Sequence, residues 1–426
     1  MATIRKRGSS YQIRVSNGYD LTGNQITETT TWKPDPNRTD KQNEKALQKF
    51  IIEFEDKVKS GKLLQGEKLT FQEYSNIWLK EYAYKQMQQT SIERCESSLS
   101  GIIVPNIGHL RLSEIQPLHL QKLYNMLLES GYMRNGKHYT YSANTIKRIH
   151  QIISSSLNTA VQWQLIEANP CNRVKPPKVE KSVDVKHFTL EQAQSFLSYL
   201  DKTYTVSHCG RRKKDGTESA QHIEIKEWPL QYRILFHLAI LGGFRRGELI
   251  ALTWDDMDFD KNTISINKSS ARTKSGIITK SPKTFSSNRT VTIPNDSMTM
   301  LRKYKIKQYE YRLSLGTFWQ GNNFLFIQDD GKQMDISTPN KVFQKIIKSY
   351  NETVESTEQL PVITLHGLRH TSATLLIAQN VDVKTVSARL GHSETSTTMD
   401  IYAHALKKQD EDAAASIGSL FQKYAN

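Results

Sequence analysis

Apolar and polar residues alternate through Tyr11, Ile13 and Val15, the period of a half-buried strand, and the Thr-rich run from Ile26 to Trp32 predicts another. Asn17-Gly18 between them marks a turn. The period then lengthens. Leu47, Phe50, Ile51, Phe54 and Val58 recur at helical spacing behind Thr39 and Gln42, which suit a capping box. Residues 1–63 therefore read as a small sheet-plus-helix domain. Residues 68–172 carry helical periods throughout. Thr70 and Glu73 fit a capping box ahead of Tyr74, Ile77 and Trp78, and Pro117 fits the first turn of a helix bearing Leu120, Leu123, Tyr124 and Leu127. A long helix from about Ser142 to Trp163 has the stripe Ile146, Ile149, Ile153, Leu157 and Val161, with Lys147 and Arg148 off it. Residues 173–184 form a linker in which Arg173, Lys175 and Lys178 accompany Pro176 and Pro177, an extended basic strap suited to a phosphate backbone.

Residues 185–426 mix helices with a small antiparallel sheet, including a hairpin within Thr263–Ile293 that turns at Ser275-Gly276. Thr203 to Trp228, with Arg211, Arg212, Lys213 and Lys214, reads as an exposed basic loop that either contacts a polyanion or is simply solvated. A terminal stripe of Ile417, Leu420, Phe421 and Tyr424 docks either in cis or on another surface. The expected fold class is thus multidomain and mainly α with small β-sheets: a β-sheet-plus-helix N-terminal domain, a helical second domain and a mixed α+β third domain.

Charge narrows the partners. The 426 residues carry 58 Lys and Arg against 43 Asp and Glu, a formal charge of +15. Basic residues occur in every segment, Arg5, Lys6, Arg7 and Arg14 preceding the first acid, Asp20. This balance suits a polyanion, with binding that weakens as salt rises. No apolar run is long enough to span a bilayer, mean hydropathy is −0.57, and the N-terminus lacks a signal-peptide core. A soluble cytoplasmic protein with no membrane partner is expected. Cys95, Cys171 and Cys209 lack CxxC spacing, which argues against a disulfide framework or zinc knuckle.

The last third holds, in order, Arg245, Lys283, His366 with Arg369, His392 and Tyr402. Two guanidinium groups can grip the oxygens of a phosphodiester under attack, as Arg245 and Arg369 could. A tyrosine hydroxyl, with a pKa near ~10, needs a base or positive field to attack phosphorus, and His366 and His392 can each supply either. Lys283 is the candidate acid for the leaving oxygen. Glu248, three residues after Arg245, can orient that guanidinium from the same helix face, and His370 suits a supporting or packing role.

These residues sit in recognisable patterns. Gly243-Phe244-Arg245-Arg246-Gly247-Glu248-Leu249 resembles the first arginine motif of the tyrosine recombinases, the phage integrase family. Ser281-Pro282-Lys283-Thr284, with Arg289 and Thr290 following, resembles their hairpin lysine, and His366-Gly367-Leu368-Arg369 their His-x-x-Arg element. Leu390-Gly391-His392 resembles their second histidine, and Met399-Asp400-Ile401-Tyr402 their nucleophile segment. Gly242 stands where Thr precedes Gly in many members, a departure in local backbone freedom. Val104 to Leu110 resembles their helical, SAM-like core-binding domain, and residues 1–63 their arm-binding domain. The latter reading competes with a generic small domain that has a basic edge.

The resemblance implies site-specific strand exchange in double-stranded DNA through a 3′-phosphotyrosyl intermediate, without metal, ATP or cofactor. Tyr402 is the implied nucleophile, Arg245 and Arg369 the phosphate clamp and Lys283 the acid, while the two histidines share the base and phosphate-binding roles in an order left open. It further implies core and arm-type attachment sites, a homotetramer in the synapse, and an excisionase or host DNA-bending protein as accessory. Arg5, Lys6, Arg7, Arg14, Lys147, Arg148, Lys175 and Lys178 are the candidate DNA contacts outside the centre. A type IB topoisomerase-like enzyme and a catalytically silent DNA-binding regulator are the competing functions; the arm-like domain argues against the first and the intact residue set against the second. Rival motifs fail locally. Asp256, Asp258 and Asp260 begin like a calcium loop, but Lys261 and Asn267 stand where glycine and glutamate are needed. His366 and His370 have zinc-ligand spacing, but Gly367 replaces the metalloprotease glutamate.

Overall fold

The computed structural model describes residues 2–19, 22–59, 69–129, 131–134, 136–179, 186–208, 222–281 and 288–391, together with Met399 and Ile417. The chain divides into two compact units, Met1–Glu180 and Lys181–Asn426.

The first unit opens with an antiparallel sheet of β1 (Thr3–Arg7), β2 (Ser10–Tyr19) and β3 (Gln25–Trp32), with β2 in the middle. Ile13 and Val15 alternate inward from β2 and meet Phe54 and Val58 of α1 (Asp40–Lys59), so the predicted stripe and strand share one small core. Asn17-Gly18 does not end the strand. β2 runs on to Tyr19 with a register shift after Ser16, and Gly18 takes a φ of +82° at that irregularity. β1 is exposed at every position, so it has no apolar alternation for sequence reading to detect.

The helical part has its own apolar core. Thr70 caps α2 (Phe71–Trp78) in a full capping box with Glu73, and the hydrogen bonds from Thr70 hold the Glu73 carboxyl below the usual carboxylate range. α3 (Gln89–Ser98), α4 (Pro117–Glu129) and α5 (Ala143–Gln162) follow. The predicted α5 stripe is buried at Ile146, Ile149, Ile153 and Leu157, and Ser142 caps the helix by accepting from Thr145 N–H. Buried polar groups here are satisfied: Tyr74 Oη donates to the Ser156 carbonyl and Trp78 Nε1 to Thr159 Oγ1. Between α4 and α5 a short hairpin pairs β4 (Tyr132–Arg134) with β5 (Lys137–Tyr139). The basic strap begins inside this core, where Val174 is buried, and then exposes Lys175 and Lys178.

The second unit is organised around α7 (Leu230–Leu241), which follows α6 (Leu190–Tyr199) and is apolar nearly all round. It packs against α6, α9 (Asn295–Leu315), α10 (Thr338–Asn351) and α11 (Leu365–Ala378). The expected loop from Thr203 to Trp228 is instead flanked by paired strands, β6 (Thr203–His208) and β7 (His222–Glu227). Nor is its end exposed: Trp228 is buried and stacks on Tyr204 with ring centroids 3.9 Å apart. Arg211 to Lys214 lie outside the described residues.

After the short helix α8 (Arg246–Ala251) come β8 (Met257–Asp258), β9 (Thr263–Ile266), β10 (Ser269–Thr273), β11 (Gly276–Lys280) and β12 (Arg289–Thr292). They form a three-stranded sheet β12-β9-β8 and a separate β10-β11 hairpin that turns at Lys274-Ser275. The acidic run at 256–260 is structural: Asp256 pairs with Lys268 at 2.8 Å, and Asp258 accepts the N–H groups of Asp260 and Lys261. α12 (Val383–Leu390) closes the described fold. No described helix is long and apolar enough to cross a membrane.

Candidate active site

Arg245 lies just outside α8 as its N-cap, with extended backbone. Glu248, three residues on, accepts both the Arg245 backbone N–H and its Nη1 at 2.9 Å. Sequence spacing predicts that Glu248 orients Arg245, but from a shared helix face; the carboxylate does it as a cap, gripping main chain and guanidinium together. Arg246 points to solvent. The second terminus of the Arg245 guanidinium, Nη2, donates to the Gly391 carbonyl at 2.8 Å. The arginine is therefore fixed in place, with its side chain still about a third exposed (37%).

Arg369 and His366 lie three residues apart on α11, and His370 follows one position after Arg369, so the three share a helix face. Thr364 starts the helix by accepting from Gly367 N–H. Arg369 is nearly sealed in, 2% exposed, and its Nη1 donates 2.8 Å to the Gly243 carbonyl, two residues before Arg245. Gly243 sits at φ +64°, and a Cβ there would strike the Leu390 side chain at 2.6 Å, so the carbonyl is presented by a backbone only glycine supplies without strain. His370 meets His366 edge to face with centroids 4.7 Å apart. His366 keeps one side open to solvent. Partial burial of its ring, and then the charges of Arg369 and Arg245, lower its pKa below the ordinary 6.5 against the opposing pull of Glu248. At neutral pH it is a neutral imidazole, able to accept a proton beside two guanidinium groups.

One residue of this centre was named in the sequence only as a neighbour of a motif. Arg289, at the start of β12, is buried and grips Glu248 from the other side, with Nη2 2.8 Å and Nη1 3.2 Å from the two carboxylate oxygens. Its Nε donates to the Arg389 carbonyl at 2.7 Å, and its guanidinium lies over the Phe244 ring. Gly391 ends α12 in the left-handed region at φ +68°, where a Cβ would come within 2.9 Å of Arg289. Arg389 in turn donates to the carbonyls of Leu241 and Thr292. Burial pushes the Glu248 carboxyl up; the hydrogen bonds and charge of Arg289, then those of Arg245, more than reverse this and leave it below the usual carboxylate range. Burial, then the neighbouring Arg289, lowers the Arg389 guanidinium. The only sequence signal for Arg289 was its place after the lysine motif, since its carboxylate partner lies 41 residues away.

Two short bridges tie α8 to the rest. Gly247 lets the helix lie against β10, where a Cβ would meet Ser269 Oγ and the Ser270 carbonyl at 2.6 Å each. Gln333 Nε2 spans from the Ile250 carbonyl to Ser270 Oγ. Arg245, Glu248, Arg289, His366 and Arg369 are thus gathered in one region of the second unit. Lys283, His392 and Tyr402 lie outside the described residues; in sequence Lys283 follows the end of β11, and His392 directly follows Gly391. The terminal stripe also lies outside them, apart from the exposed Ile417. The DNA-contact candidates Arg5, Lys6, Arg7, Arg14, Lys147, Arg148, Lys175 and Lys178 are all at the surface of the first unit and not in this cluster.

Family models match both units. Residues 215–409 match the phage integrase family, and residues 70–128 match the N-terminal SAM-like domain of phage integrases. The chain belongs to the phage integrase family. It is 25% identical to a "Tyrosine recombinase XerC-like" protein of Caldanaerobacter subterraneus subsp. tengcongensis across 96% of each chain. It is 27% identical to the integrase of Staphylococcus phage L54a over 83% of this chain and 93% of that one. Among solved structures, the Tn1549 transposon integrase in complex with transposon right end DNA aligns with a TM-score of 0.59 at 19% identity, over 81% of this chain and 100% of that one. A lambda integrase dimer bound to a COC′ core site aligns at 0.52 and 16% identity, over 94% of each. As an integrase-family member the chain is an enzyme of DNA recombination, a site-specific tyrosine recombinase, and neither the topoisomerase-like nor the catalytically silent reading is favoured.

Proposed function

We propose that this integrase cleaves and rejoins double-stranded DNA at attachment sites of a mobile element, with Tyr402 as nucleophile. Tyr402 Oη attacks the scissile phosphorus, and its proton passes to His366. The bond to the 5′ oxygen breaks as Lys283 protonates that oxygen, leaving a 3′-phosphotyrosyl link. In the second half a 5′ hydroxyl of the partner strand attacks that link and the proton transfers reverse. Because the phosphoester bond energy is retained in the protein–DNA link, the exchange runs without ATP. Arg245 and Arg369 hold the phosphate oxygens while charge builds on them, a service that in other phosphoryl-transfer enzymes metal ions share, and His392 donates a hydrogen bond to the same phosphate. No metal or other cofactor is assigned to the reaction.

The observation that carries this reading is the pairing of a clamped, partly open Arg245 with a neutral His366 beside the buried Arg369. The wider organisation we propose is an arm-type DNA-binding domain at 1–63, a core-binding domain at 68–172, a basic linker at 173–184 and a catalytic domain with its tail at 185–426. Four copies meet in the synaptic complex in the cytoplasm, with an excisionase or a host DNA-bending protein setting direction. Arg5, Lys6, Arg7, Arg14, Lys147, Arg148, Lys175 and Lys178 contact the duplex.

The test is a duplex carrying the attachment site and a nick near the crossover, incubated with protein in EDTA and separated under denaturing conditions. A covalent protein–DNA band, absent in Tyr402→Phe, is expected. Tight binding without that band would overturn the assignment.

A further inference from the structure

β10 and β11 stand apart from the three-stranded sheet, and a two-stranded hairpin by itself is at best marginally stable in water. Its placement therefore depends on what holds it. Ile277 lies partly against the apolar core. At the turn, Thr273 Oγ1 donates to the Gly276 carbonyl, a bond within the hairpin that fixes its shape and not its position. Arg272 pairs with Asp335, but its side chain is 65% exposed and an ion pair of that kind contributes little. The polar anchor lies at the other end, where Ser269 faces Lys280 and Ser270 faces Thr279.

Gln333 makes that junction. Its Nε2 donates to the Ile250 carbonyl at 2.9 Å and to Ser270 Oγ at 2.7 Å, with Thr279 Oγ1 at 3.5 Å. Ser270 Oγ and Thr279 Oγ1 are themselves 2.7 Å apart, so a hydrogen-bonded path runs from Gln333 through β10 to β11. Ile250 lies in the last turn of α8, where carbonyls find no partner within the helix, and the amide supplies one. One side chain thus joins the helix that Arg245 caps to both strands of the hairpin.

The staple is itself held by backbone. Gln333 bridges Ile327, its carbonyl accepts from Gln328 Nε2 at 2.7 Å, and the buried Met334 beside it donates its N–H to the Phe326 carbonyl at 3.0 Å. Ser270 is buried as well, so loss of the amide leaves its hydroxyl and the Ile250 carbonyl short of a donor.

In sequence, β11 ends at Lys280, and Thr279 comes four residues before Lys283. We propose that Gln333 is a positioning residue for strand cleavage: by pinning β11 to α8 it fixes the strand end from which the chain runs on to Lys283, and so couples protonation of the 5′ oxygen to the arginine that holds the phosphate. This rests on the assignment of Lys283 as the acid, and adds a side chain that takes no part in the chemistry itself. In the step it serves, the bond from Tyr402 Oη to phosphorus forms, the bond from phosphorus to the 5′ oxygen breaks, and that oxygen takes one proton from Lys283 Nζ.

The test follows single-turnover cleavage by the full chain on an attachment-site duplex and on the same duplex with sulfur in place of the 5′ bridging oxygen. A thiol is far more acidic than a sugar hydroxyl, with a pKa near ~8.5 for a cysteine side chain, so sulfur leaves as the thiolate without help from an acid. Gln333→Met, which keeps the length of the side chain and removes the amide, is expected to cleave the oxygen substrate about 10²-fold more slowly, the scale of a misplacement of about 1 Å, and the sulfur substrate at the wild-type rate. Lys283→Ala is expected to show the same pattern. Equal slowing of Gln333→Met on both substrates would reduce the staple to a structural role and overturn the proposal, as would wild-type rates on both. Should Gln333→Met fail to fold, Thr279→Val, at an exposed position, decides in its place: slowing confined to the oxygen substrate is expected, and any other pattern overturns the proposal. If Lys283→Ala instead stays slow on the sulfur substrate, the acid assignment itself falls, and the role of Gln333 falls with it.

Discussion

The helical core of the first unit and the centre of the second bury side chains for opposite reasons. Between α2, α4 and α5 the interior is Trp78, Leu120, Tyr124, Ile153 and Leu157, and its few polar atoms answer one another locally. At the proposed catalytic centre Glu248, Arg289 and Arg369 are nearly as inaccessible, yet they are charged. Burying charge costs several kcal/mol per ion before pairing, so the second arrangement contributes little to stability compared with apolar groups of the same size. What it provides is a set of cations whose orientation is settled in advance, and in the proposed reaction that preorganisation is where electrostatic catalysis would draw its effect. An apolar core can be read as stabilising; a buried carboxylate shared by Arg245 and Arg289 reads as positioning.

The contrast can be broken most forcefully at Arg369. Arg369→Ala should slow cleavage of the nicked duplex about 10³-fold in single turnover, the scale of removing one oxyanion donor. A loss below tenfold would reduce that arginine to packing. Next comes Arg289, which has no assigned contact with DNA. Arg289→Ala leaves Glu248 with half its partners, and should cost about 3 kcal/mol in chemical denaturation of the second unit. Combined with Glu248→Gln, the loss should be less than the sum of the two single losses, because the uncompensated charge is gone. Additivity would break the claim that the two residues act as a pair.

In the apolar region, Leu157→Ala should lower the opening free energy of α5 amides in hydrogen exchange by about 3 kcal/mol while leaving the pH profile of cleavage unmoved. A shifted profile would show that the two regions are not separable in this way. The smallest effect is the pH dependence itself. Because the pKa of His366 is lowered in the folded protein, its proton-accepting form persists below pH 6.5, so the cleavage rate should hold through 6.5 and fall only at lower pH. The stability sign follows: the unfolded chain binds more protons at this histidine, so its contribution is present above 6.5 and is lost as pH falls toward the folded pKa. His366→Gln should remove that acid limb.

Much of the scaffold was legible because it rests on local rules. Thr70 and Ser142 mark helix starts where the caps are found, Pro117 opens its helix where sequence places it, and the 3.6-residue stripe of α5 identifies its buried face. β1 was not legible, since an edge strand exposed on both faces leaves no hydrophobic alternation. The pairing of β6 with β7 was missed because the charged run between them dominates the pattern. At the centre, motif residues such as Arg245 and Arg369 announce themselves through type and spacing. Arg289 does not, and neither do the carbonyls of Gly243 and Gly391, because their significance lies in contacts between distant segments that no local period records.

Gly247 carries a practical lesson for anyone retargeting this protein by directed evolution. Its missing side chain is what lets α8 rest on β10, so the helix that Arg245 caps and the strand beside it behave as one machined part. A library that randomises Gly247 would spend its diversity on misalignment of the segment that holds Arg245 and Glu248, whereas one confined to Lys147 and Arg148, exposed on α5 and proposed to contact DNA, would leave that segment untouched.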